Sequence, residues 1–239
     1  MIILSFDSTA KAASVAVARD DVLLAEYTVD NGFTQSELLL PMAESLMKSL
    51  GLGFDDVDAF ASATGPGSFT GVRIGTATVK GLAFGKNKAC ISVSTLDALA
   101  ENLRGLKGAI VPVMDARRNQ VYTATFISDG DSMRRTTEDR AISIDALAEE
   151  LIASGTEIVY LVGDGEAVAR KRISEKYPAL RLGNTPELLK RENAFSVARV
   201  AYRKYQNGEI ESDTEHLPTY LRMPQAERER LERLELNKK

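Results

Sequence analysis

Two aspartates, Asp7 and Asp115, each end an apolar run that predicts a strand, and each begins a short turn. Carboxylates placed in this way could hold a magnesium ion and face the phosphates of a nucleotide. Aspartate is also common in turns, because its side chain accepts hydrogen bonds from nearby backbone amides. This second interpretation is favoured for both residues. The turn after Asp7 also reads Ser-Thr-Ala-Lys and lacks the glycines of a phosphate-binding hairpin.

The segment GPGSFTGVRIG, residues 65–75, lies between a predicted buried strand and a predicted helix. Its glycines, Gly65 and Gly67 among them, permit close backbone approach, and the helix N-terminus presents N–H groups that could bind an anion. The segment lacks the lysine of a P-loop and the spacing of a dinucleotide-binding fingerprint. A tight turn from strand to helix therefore explains it equally well. The Gly-Asp-Gly sequence at residues 163–165 is also interpreted first as such a turn.

The charge balance and the single histidine and cysteine argue against several classes of function. The chain has 30 Lys and Arg against 34 Asp and Glu, a net charge of −4, so any contact with nucleic acid should be weak for the chain alone. With one histidine, His216, and one cysteine, Cys90, we expect no Cys/His zinc site, no disulfide, no Ser-His-Asp triad and no Cys-His dyad. We expect His216 to lie on the surface and Cys90 to be a small buried hydrophobe.

The elements that must position these residues form two similar series. The first contains predicted strands, a helix that begins with a Thr34–Glu37 capping box and that Pro41 should kink, and a second helix after the glycine segment. The predicted strands cover residues 2–6, 14–18, 23–27, 58–63 and 90–93; the helices cover residues 34–50, about 69–83 and 95–104.

A hinge at residues 105–108 begins the second series. It has strands over residues 109–114, 121–126 and 158–162, a polar stretch without core residues over 128–140, and helices over 144–153, 166–177 and 194–206. A repeated hairpin followed by α/β alternation indicates two α/β halves of the kind found in the actin, Hsp70 and sugar-kinase superfamily. We therefore predict a first lobe at residues 1–105, a reduced second lobe at 106–222, and a charged, helical tail at 223–239.

The full string GPGSFTGVRIG, followed by VKGLA at residues 79–83 and ISVSTL at 91–96, resembles the signature of the TsaB (YeaZ) family. The similarity extends to FDST at 6–9, SELLLP at 36–41, DAR at 115–117 and PTYLR at 218–222, and so spans most of the chain. Two positions depart from the family pattern. Gln35 stands where the family often has histidine, and Asn119-Gln120 stand where it often has Gly-Glu.

The resemblance implies two actin-like lobes related to the catalytic TsaD proteins. TsaD-like proteins carry two histidines four residues apart as metal ligands, whereas here Thr95 and Leu99 stand at those places, and neither offers a nitrogen donor. The resemblance therefore implies a noncatalytic scaffold without metal or cofactor. It implies two partners. One is a TsaD-like transferase, which puts threonylcarbamoyl on tRNA adenosine, and the other is the ATPase TsaE. It also implies tRNA contact only through the complex, and a homodimer when the partner is missing.

Two other activities must be weighed. The chain could be a free-standing ATP-dependent small-molecule kinase of the same superfamily. In that case Asp7 and Asp115 would bind magnesium, and the Gly65 loop would bind phosphate. A peptidase is disfavoured, because the sequence shows neither a metal pair nor a nucleophile with its base. Since the first residues carry no basic leader and no run approaches about 20 apolar residues, we expect a cytoplasmic protein.

A partner surface is predicted on two helices of the first lobe. Gly71, Gly75, Thr78 and Leu82 share one helical face, and glycines inside a helix usually permit close approach of another backbone. The resemblance implies that this helix and the one before it pack against a TsaD-like subunit. A contact with the chain's own sheet is the alternative. The predicted interface residues are Leu39, Met42, Leu46, Gly71, Arg73, Gly75, Thr78 and Leu82.

Overall fold

The computed structural model describes residues 1–222, and residues 2–94 supply the strands of its first sheet. These are β1 (Ile2–Asp7), β2 (Ala13–Arg19), β3 (Val22–Val29), β4 (Ala59–Gly65) and β5 (Ala89–Ser94), in the order β3-β2-β1-β4-β5. Strands β1 to β3 form antiparallel hairpins, whereas β4 and β5 run parallel to β1. Both β1 and β4 are buried along nearly their whole length, because helices cover both faces of the sheet.

Helices α1 (Gln35–Ser49) and α2 (Phe69–Ala83) cover one face of the first sheet. The predicted capping box between Thr34 and Glu37 is confirmed at the start of α1. Leu39, Met42 and Leu46 of α1 are buried in a cluster with the strands, and each such side chain contributes about 1.5–3 kcal/mol to stability. The apolar stripe of α1 is therefore largely used inside the lobe.

The second sheet is built around the long strand β6 (Lys107–Asp115). It pairs in parallel with β11 (Val159–Val162) on one side and antiparallel with β7 (Gln120–Thr123) and β8 (Phe126–Asp129) on the other. β7 and β8 pair with β6 in the same register. The break between them lies opposite Pro112 of β6, which has no N–H to donate to the ladder. The single strand predicted over residues 121–126 is thus two strands separated at a proline.

The polar stretch over residues 128–140 is more ordered than predicted. It contains β9 (Met133–Arg135), which pairs with β8, and leads into β10 (Arg140–Ser143), which pairs with β7. Ser128 is buried, and Arg135 reaches Asp97 of a distant helix at 3.2 Å. The prediction that this stretch adds nothing to the core is wrong, because its partners lie far away in the sequence.

Helices α4 (Ile144–Ala153) and α5 (Glu166–Lys176) cover the outer face of the second sheet. Their range predictions are confirmed to within one residue. Helix α3 (Thr95–Glu101) packs Leu96 and Leu99 on the opposite face of the same sheet. The second sheet thus lies between helices, which is the arrangement expected of an α/β lobe.

Helix α6 (Ala194–Gln206) was expected to complete the second half, and this expectation is wrong. It packs instead on the first sheet, on the face opposite α1 and α2, where Ser5 Oγ donates to the Ala194 carbonyl at 2.7 Å. The buried Glu101 of α3 joins the layers by pairing with Arg199 at 3.1 Å and Arg203 at 2.6 Å of α6. Helices α3 and α6 therefore form the layer between the two sheets.

The predicted α/β class with two lobes is confirmed by the two sheets and their helical layers. The boundary between residues 105 and 106 stays a prediction, and α6 returns across it. The predicted helical tail, with Leu231, Leu234 and Leu236, lies outside the described residues. Within residues 1–222, every helix is too short or too polar to cross a membrane.

Candidate functional site

The cleft between the lobes brings the two predicted aspartate turns together. At the end of β1, Asp7 is only 1% exposed, and its Oδ1 accepts from Thr9 N at 2.9 Å and Thr9 Oγ1 at 2.7 Å. Its Oδ2 is buried and has no hydrogen-bond partner. Burial raises the pKa of Asp7 to about 6, against the opposing effect of the Thr9 hydrogen bonds.

The second turn follows β6 and is open to solvent. Asp115 Oδ1 accepts from Arg117 N at 2.8 Å, the same two-residue spacing as in the first turn. The preferred interpretation of both aspartates as turn residues is therefore confirmed. Arg117, Arg118 and Asn119 have φ values of 66°, 55° and 57°, so three consecutive residues with side chains adopt the left-handed conformation.

A second buried acid at the cleft, Glu192, lies in the loop before α6, and the sequence did not predict it. Burial raises its pKa to about 8, and the nearby Asp7 and Asp164 carboxylates contribute in the same direction. Although part of Asp164 remains exposed, burial of its carboxyl also raises its pKa. Glu192 Oε1 has no hydrogen-bond partner. The only sequence signal for it was a polar residue directly before a helix cap, which is too common to be informative.

These acids give one half of the cleft an acidic lining. We call it the acidic half; it has a volume of about 540 Å³. Its carboxylates are Asp30, Asp115, Asp164, Glu166, Glu187 and Glu192. Of its cations, Lys190 is paired with Glu166 at 3.2 Å and Glu187 at 3.1 Å. Asp115 and Asp164 have no cation at salt-bridge distance within residues 1–222, so a phosphate placed beside them without a metal ion would be repelled.

The other half of the cleft lies between Phe69 and Tyr122 and has a volume of about 500 Å³. We call it the aromatic half. Met114 and Ala116 also line it, and Lys11 and Arg117 separate it from the acidic half, since both residues line both halves.

The glycine segment approaches the chain's own backbone. A side chain at Gly65 would meet the Thr219 carbonyl, and one at Gly67 would meet the Thr9 carbonyl, which accepts from Ser68 N at 2.7 Å. Gly65 has φ +122°, a conformation that favours glycine. The close contacts therefore support a tight strand-to-helix turn that lies under the C-terminal segment.

Two residues predicted at the partner interface face inward, which corrects that prediction. A Cβ at Gly71 would overlap the Ser8 carbonyl oxygen, and a Cβ at Gly75 would lie 2.7 Å from Ser8 Oγ. Ser8 Oγ also donates to the Gly71 carbonyl at 2.8 Å. The glycines in α2 thus permit the first hairpin of the same chain to pack against the helix.

The remaining predicted interface residues are divided between core and surface. Leu39, Met42 and Leu46 belong to the core, whereas Thr78 and Leu82 are half-buried. Arg73 is exposed, and its Nε donates to the Tyr220 hydroxyl at 2.7 Å. The outward surface of α1 and α2 is formed by other residues, including Leu40, which is 42% exposed, and Ala77.

His216 is buried, so the prediction of a surface histidine is wrong. Its Nε2 lies 2.9 Å from Ser62 Oγ, and its Nδ1 lies 3.1 Å from Glu211 Oε2. This is a serine-histidine-acid chain, which composition was expected to exclude. Ser62 and His216 are both 0% exposed, so no substrate reaches the hydroxyl, and the group holds residues 211–222 against β4 and β5. We call residues 211–222 the C-terminal strap.

The strap crosses from the first lobe to the second. Thr219 N donates to the Thr64 carbonyl at 2.7 Å, and the Tyr220 ring stacks on Phe69 with a centroid separation of 4.7 Å. Arg222 Nη1 then donates to the Ala116 carbonyl of the second lobe at 2.9 Å. Thr219, Tyr220 and Arg222 belong to the PTYLR match to the TsaB family, and the sequence predicted no role for them.

The two positions at which TsaD-like proteins carry metal-binding histidines hold packed side chains in this chain. Thr95 and Leu99 of α3 are both 0% exposed, and Leu99 packs in the cluster between α3 and the second sheet. Among residues 1–222, no three His, Cys, Asp or Glu side chains are arranged to hold a metal ion. Cys90 is buried as predicted, and burial raises the pKa of its thiol to about 11.

Comparison with known proteins gives consistent matches. The family model "TsaD: tRNA N6-adenosine threonylcarbamoyltransferase" matches residues 34–229. The tRNA threonylcarbamoyladenosine biosynthesis protein TsaB of Bacillus subtilis is 32% identical over 69% of this chain and 72% of its own length. The protein of the same name from Escherichia coli is 34% identical over 59% of this chain and 62% of its own length.

A solved structure extends the similarity to nearly the whole chain. It is a protein from Pseudomonas aeruginosa described as similar to peptidase YEAZ, with 25% identity and a TM-score of 0.76. The alignment covers 92% of this chain and 99% of that one. The chain therefore belongs to the family that the TsaD model describes and, within it, to the TsaB (YeaZ) group, whose named members act in tRNA threonylcarbamoyladenosine biosynthesis.

Proposed function

We propose that this chain is a noncatalytic scaffold subunit in tRNA threonylcarbamoyladenosine formation, which binds a TsaD-like transferase and keeps it in its competent form. In this proposal the chain also supports binding of a TsaE-like ATPase. It requires no metal or cofactor of its own, and it acts in the cytoplasm. In the absence of the transferase, two copies of the chain pair through the same surface.

The observation that carries the proposal is the filled position on α3. Thr95 and Leu99 are fully buried where the resemblance puts metal-binding histidines, and Leu99 packs among apolar side chains. An apolar side chain offers no ligand to a transition metal. This packing supports a structural role for α3 and a role for the chain that depends on a catalytic partner.

The partner surface is proposed on the outward faces of α1 and α2, revised from the residues predicted first. Leu40 and Ala77 are exposed there, beside the half-buried Thr78 and Leu82. Two antiparallel or crossed helices with small and apolar exposed side chains suit packing against helices of another subunit. Gly71 and Gly75 are excluded from this surface because they contact Ser8.

The kinase alternative is disfavoured by the same cleft. Asp7 has one carboxyl oxygen hydrogen-bonded to Thr9 and the other enclosed, and Asp7 and Asp164 lie close enough to Glu192 to raise its pKa. Binding Mg-ATP there would require phosphates to approach the acidic half. The glycine segment contacts Thr9 and Thr219 of the chain itself.

Reconstitution tests the proposal. We expect no tRNA modification and no ATP turnover by the chain alone. We expect full modification of tRNA when a TsaD-like subunit, TsaE, a synthase that makes threonylcarbamoyl-adenylate, threonine, bicarbonate and ATP are added. Modification by the mixture lacking this chain would refute the scaffold role. Robust ATP turnover by the chain alone would favour the kinase.

A surface variant tests where the partner binds. Ala77→Arg puts a long cation on exposed α2, so we expect association with the TsaD-like subunit to weaken at least about tenfold, as for a charge placed in an interface core. Ala153→Arg makes the same change on exposed α4 of the second lobe and serves as the matched control. Loss of association in the control, or normal binding by Ala77→Arg, would contradict the proposed surface.

A further inference from the structure

The aromatic half of the cleft has the features of a ligand site rather than of packing space. Its volume of about 500 Å³ falls within the range of small-molecule sites. Phe69 of the first lobe and Tyr122 of the second lobe both line it, together with Met114. Tyr220 already stacks on one face of the Phe69 ring and Arg222 lies over the Tyr122 ring, so a flat ring entering there would stack on the other face of either side chain.

Unpaired cations surround this space. Lys11 and Arg117 line it, Arg118 follows in the same open turn, and Arg222 lies over the Tyr122 ring at 5.4 Å. Within residues 1–222, none of these four has a carboxylate at salt-bridge distance, although arginines elsewhere are mostly paired. Within the described residues, no salt bridge therefore occupies this cationic rim.

The turn that carries the rim is held in an unfavourable backbone conformation. Arg117 and Arg118 are both left-handed, a conformation that costs side-chain-bearing residues about 1–2 kcal/mol each. The turn is fixed at its base, where Arg222 Nη1 binds the Ala116 carbonyl and Ala116 N binds the Gln120 carbonyl at 3.0 Å. The fold thus maintains a strained turn that places the exposed Arg117 at the cleft and the exposed Arg118 next to it in the chain, as strained turns at binding sites do.

We infer that the aromatic half and its cationic rim bind an unstacked nucleotide of an RNA loop, with the base between Phe69 and Tyr122 and the flanking phosphates on Arg117, Arg118 and Lys11. Aromatic stacking combined with arginine contacts to the backbone is the common way proteins hold single-stranded RNA. This inference rests on the proposed function, since the relatives are named for tRNA threonylcarbamoyladenosine biosynthesis. It assigns this chain a direct RNA contact.

The charges in the cleft fix the orientation of the nucleotide. Asp115 and Asp164 lie at the border with the acidic half, so phosphates are repelled from the interior and remain at the rim. The same carboxylates can accept a hydrogen bond from an exocyclic amino group of an inserted base. A base that carries such a group, adenine, cytosine or guanine, is therefore preferred over uracil.

The test is fluorescence anisotropy of the full chain with a labelled RNA hairpin that has an unpaired loop, compared with a fully paired duplex of the same length. We expect the hairpin to bind more tightly than the duplex. The double variant Arg117→Glu/Arg118→Glu should weaken hairpin binding at least about tenfold and flatten its dependence on salt concentration. Phe69→Leu should weaken it about fivefold with an unchanged salt dependence, since it removes an aromatic ring and no charge; an unchanged circular dichroism spectrum shows that losing the Tyr220 contact leaves the fold intact.

Arg19→Glu is the matched control, because Arg19 is exposed at the opposite end of the first sheet. It should bind the hairpin like the parent. Equal binding of duplex and hairpin, no binding above background, or equal weakening by Arg19→Glu would overturn the inference. Tighter binding of an acidic peptide than of the hairpin would overturn it in favour of a protein ligand. Each of these outcomes leaves the scaffold role intact if the chain is still required in the reconstituted reaction.

Discussion

The two lobes contain the same aspartate turn in opposite environments. In the first lobe, Asp7 accepts from Thr9 inside a hairpin that packs under α2. In the second lobe, Asp115 accepts from Arg117 in a hairpin open to the cleft mouth. The shared local geometry follows from the shared residue type, because the side chain of aspartate bonds to the amide two residues on.

The difference arises from tertiary packing. Ser8 lies against Gly71 and Gly75 and encloses the first turn, whereas the second turn carries two arginines that no described element covers. Turn chemistry is therefore a local property of the sequence, while the protonation and accessibility of the same carboxylate depend on distant residues. Three predictions test this contrast, beginning with the one expected to change stability most.

Gly71→Ala should destabilise the chain by at least about 3 kcal/mol, because the added methyl group overlaps the Ser8 carbonyl and the backbone must move. Gly81→Ala in the same helix is the control. Its Cβ meets nothing within 4 Å, so it should raise stability by up to about 1 kcal/mol through helix propensity. Urea unfolding of both variants measures the difference, and similar stabilities would show that the first hairpin is not tightly enclosed.

Asp7→Asn should stabilise the chain above neutral pH. The pKa of Asp7 is raised from 3.8 to about 6, so the unfolded chain loses this proton first and stability falls as pH rises through that window. The loss reaches about 3 kcal/mol once Asp7 is ionised in the folded state. Asparagine keeps an acceptor for Thr9 and cannot ionise, so the gain should be present at about pH 8 and absent near pH 4.

Asp115→Asn is the matched variant in the exposed turn. It should change the free energy of unfolding by less than about 0.5 kcal/mol at either pH, as exposed substitutions usually do. Chemical denaturation at both pH values gives the comparison. A pH-independent effect of Asp7→Asn, or a large gain from Asp115→Asn, would remove the contrast between the turns.

Asn119→Gly should have the smallest effect, a gain of less than about 1 kcal/mol. Asn119 has φ 57°, which glycine adopts without steric penalty, but glycine also increases the entropy of the unfolded chain. The thermal midpoint of the variant measures the net result. A clear loss of stability would mean that the Asn119 side chain supports the open turn.

Sequence patterns predicted most elements correctly where they depend on local periodicity or caps. The capping box of α1, the range of α4 and the two hairpins are of this kind. The errors arose where distant segments meet. His216 was expected on the surface because its neighbours are polar, yet Ser62 and Glu211 enclose it, and α6 was expected on the second sheet although its apolar face fits the first.

The same limit explains the site. The aspartates and glycines could be selected by residue type, but the contact between Gly71 and Ser8 joins parts of the chain that no local pattern relates. The predicted interface was wrong in part for this reason, since a glycine pair on a helix indicates close approach without naming the neighbour. The role of Glu192 follows only from its place in the cleft, and that of the strap residue Tyr220 only from its stacking on Phe69.

The return of α6 to the first sheet has a consequence for how the chain folds. Ser5 and Ala194 are 189 positions apart, so the first sheet acquires one of its two helical layers only after nearly the whole chain is available. Contacts of such high sequence separation slow folding and leave apolar surface open in the meantime. During synthesis, residues 1–105 therefore emerge with the face that contains Ile3 and Ala59 uncovered, and they depend on the second lobe being made before the first can close.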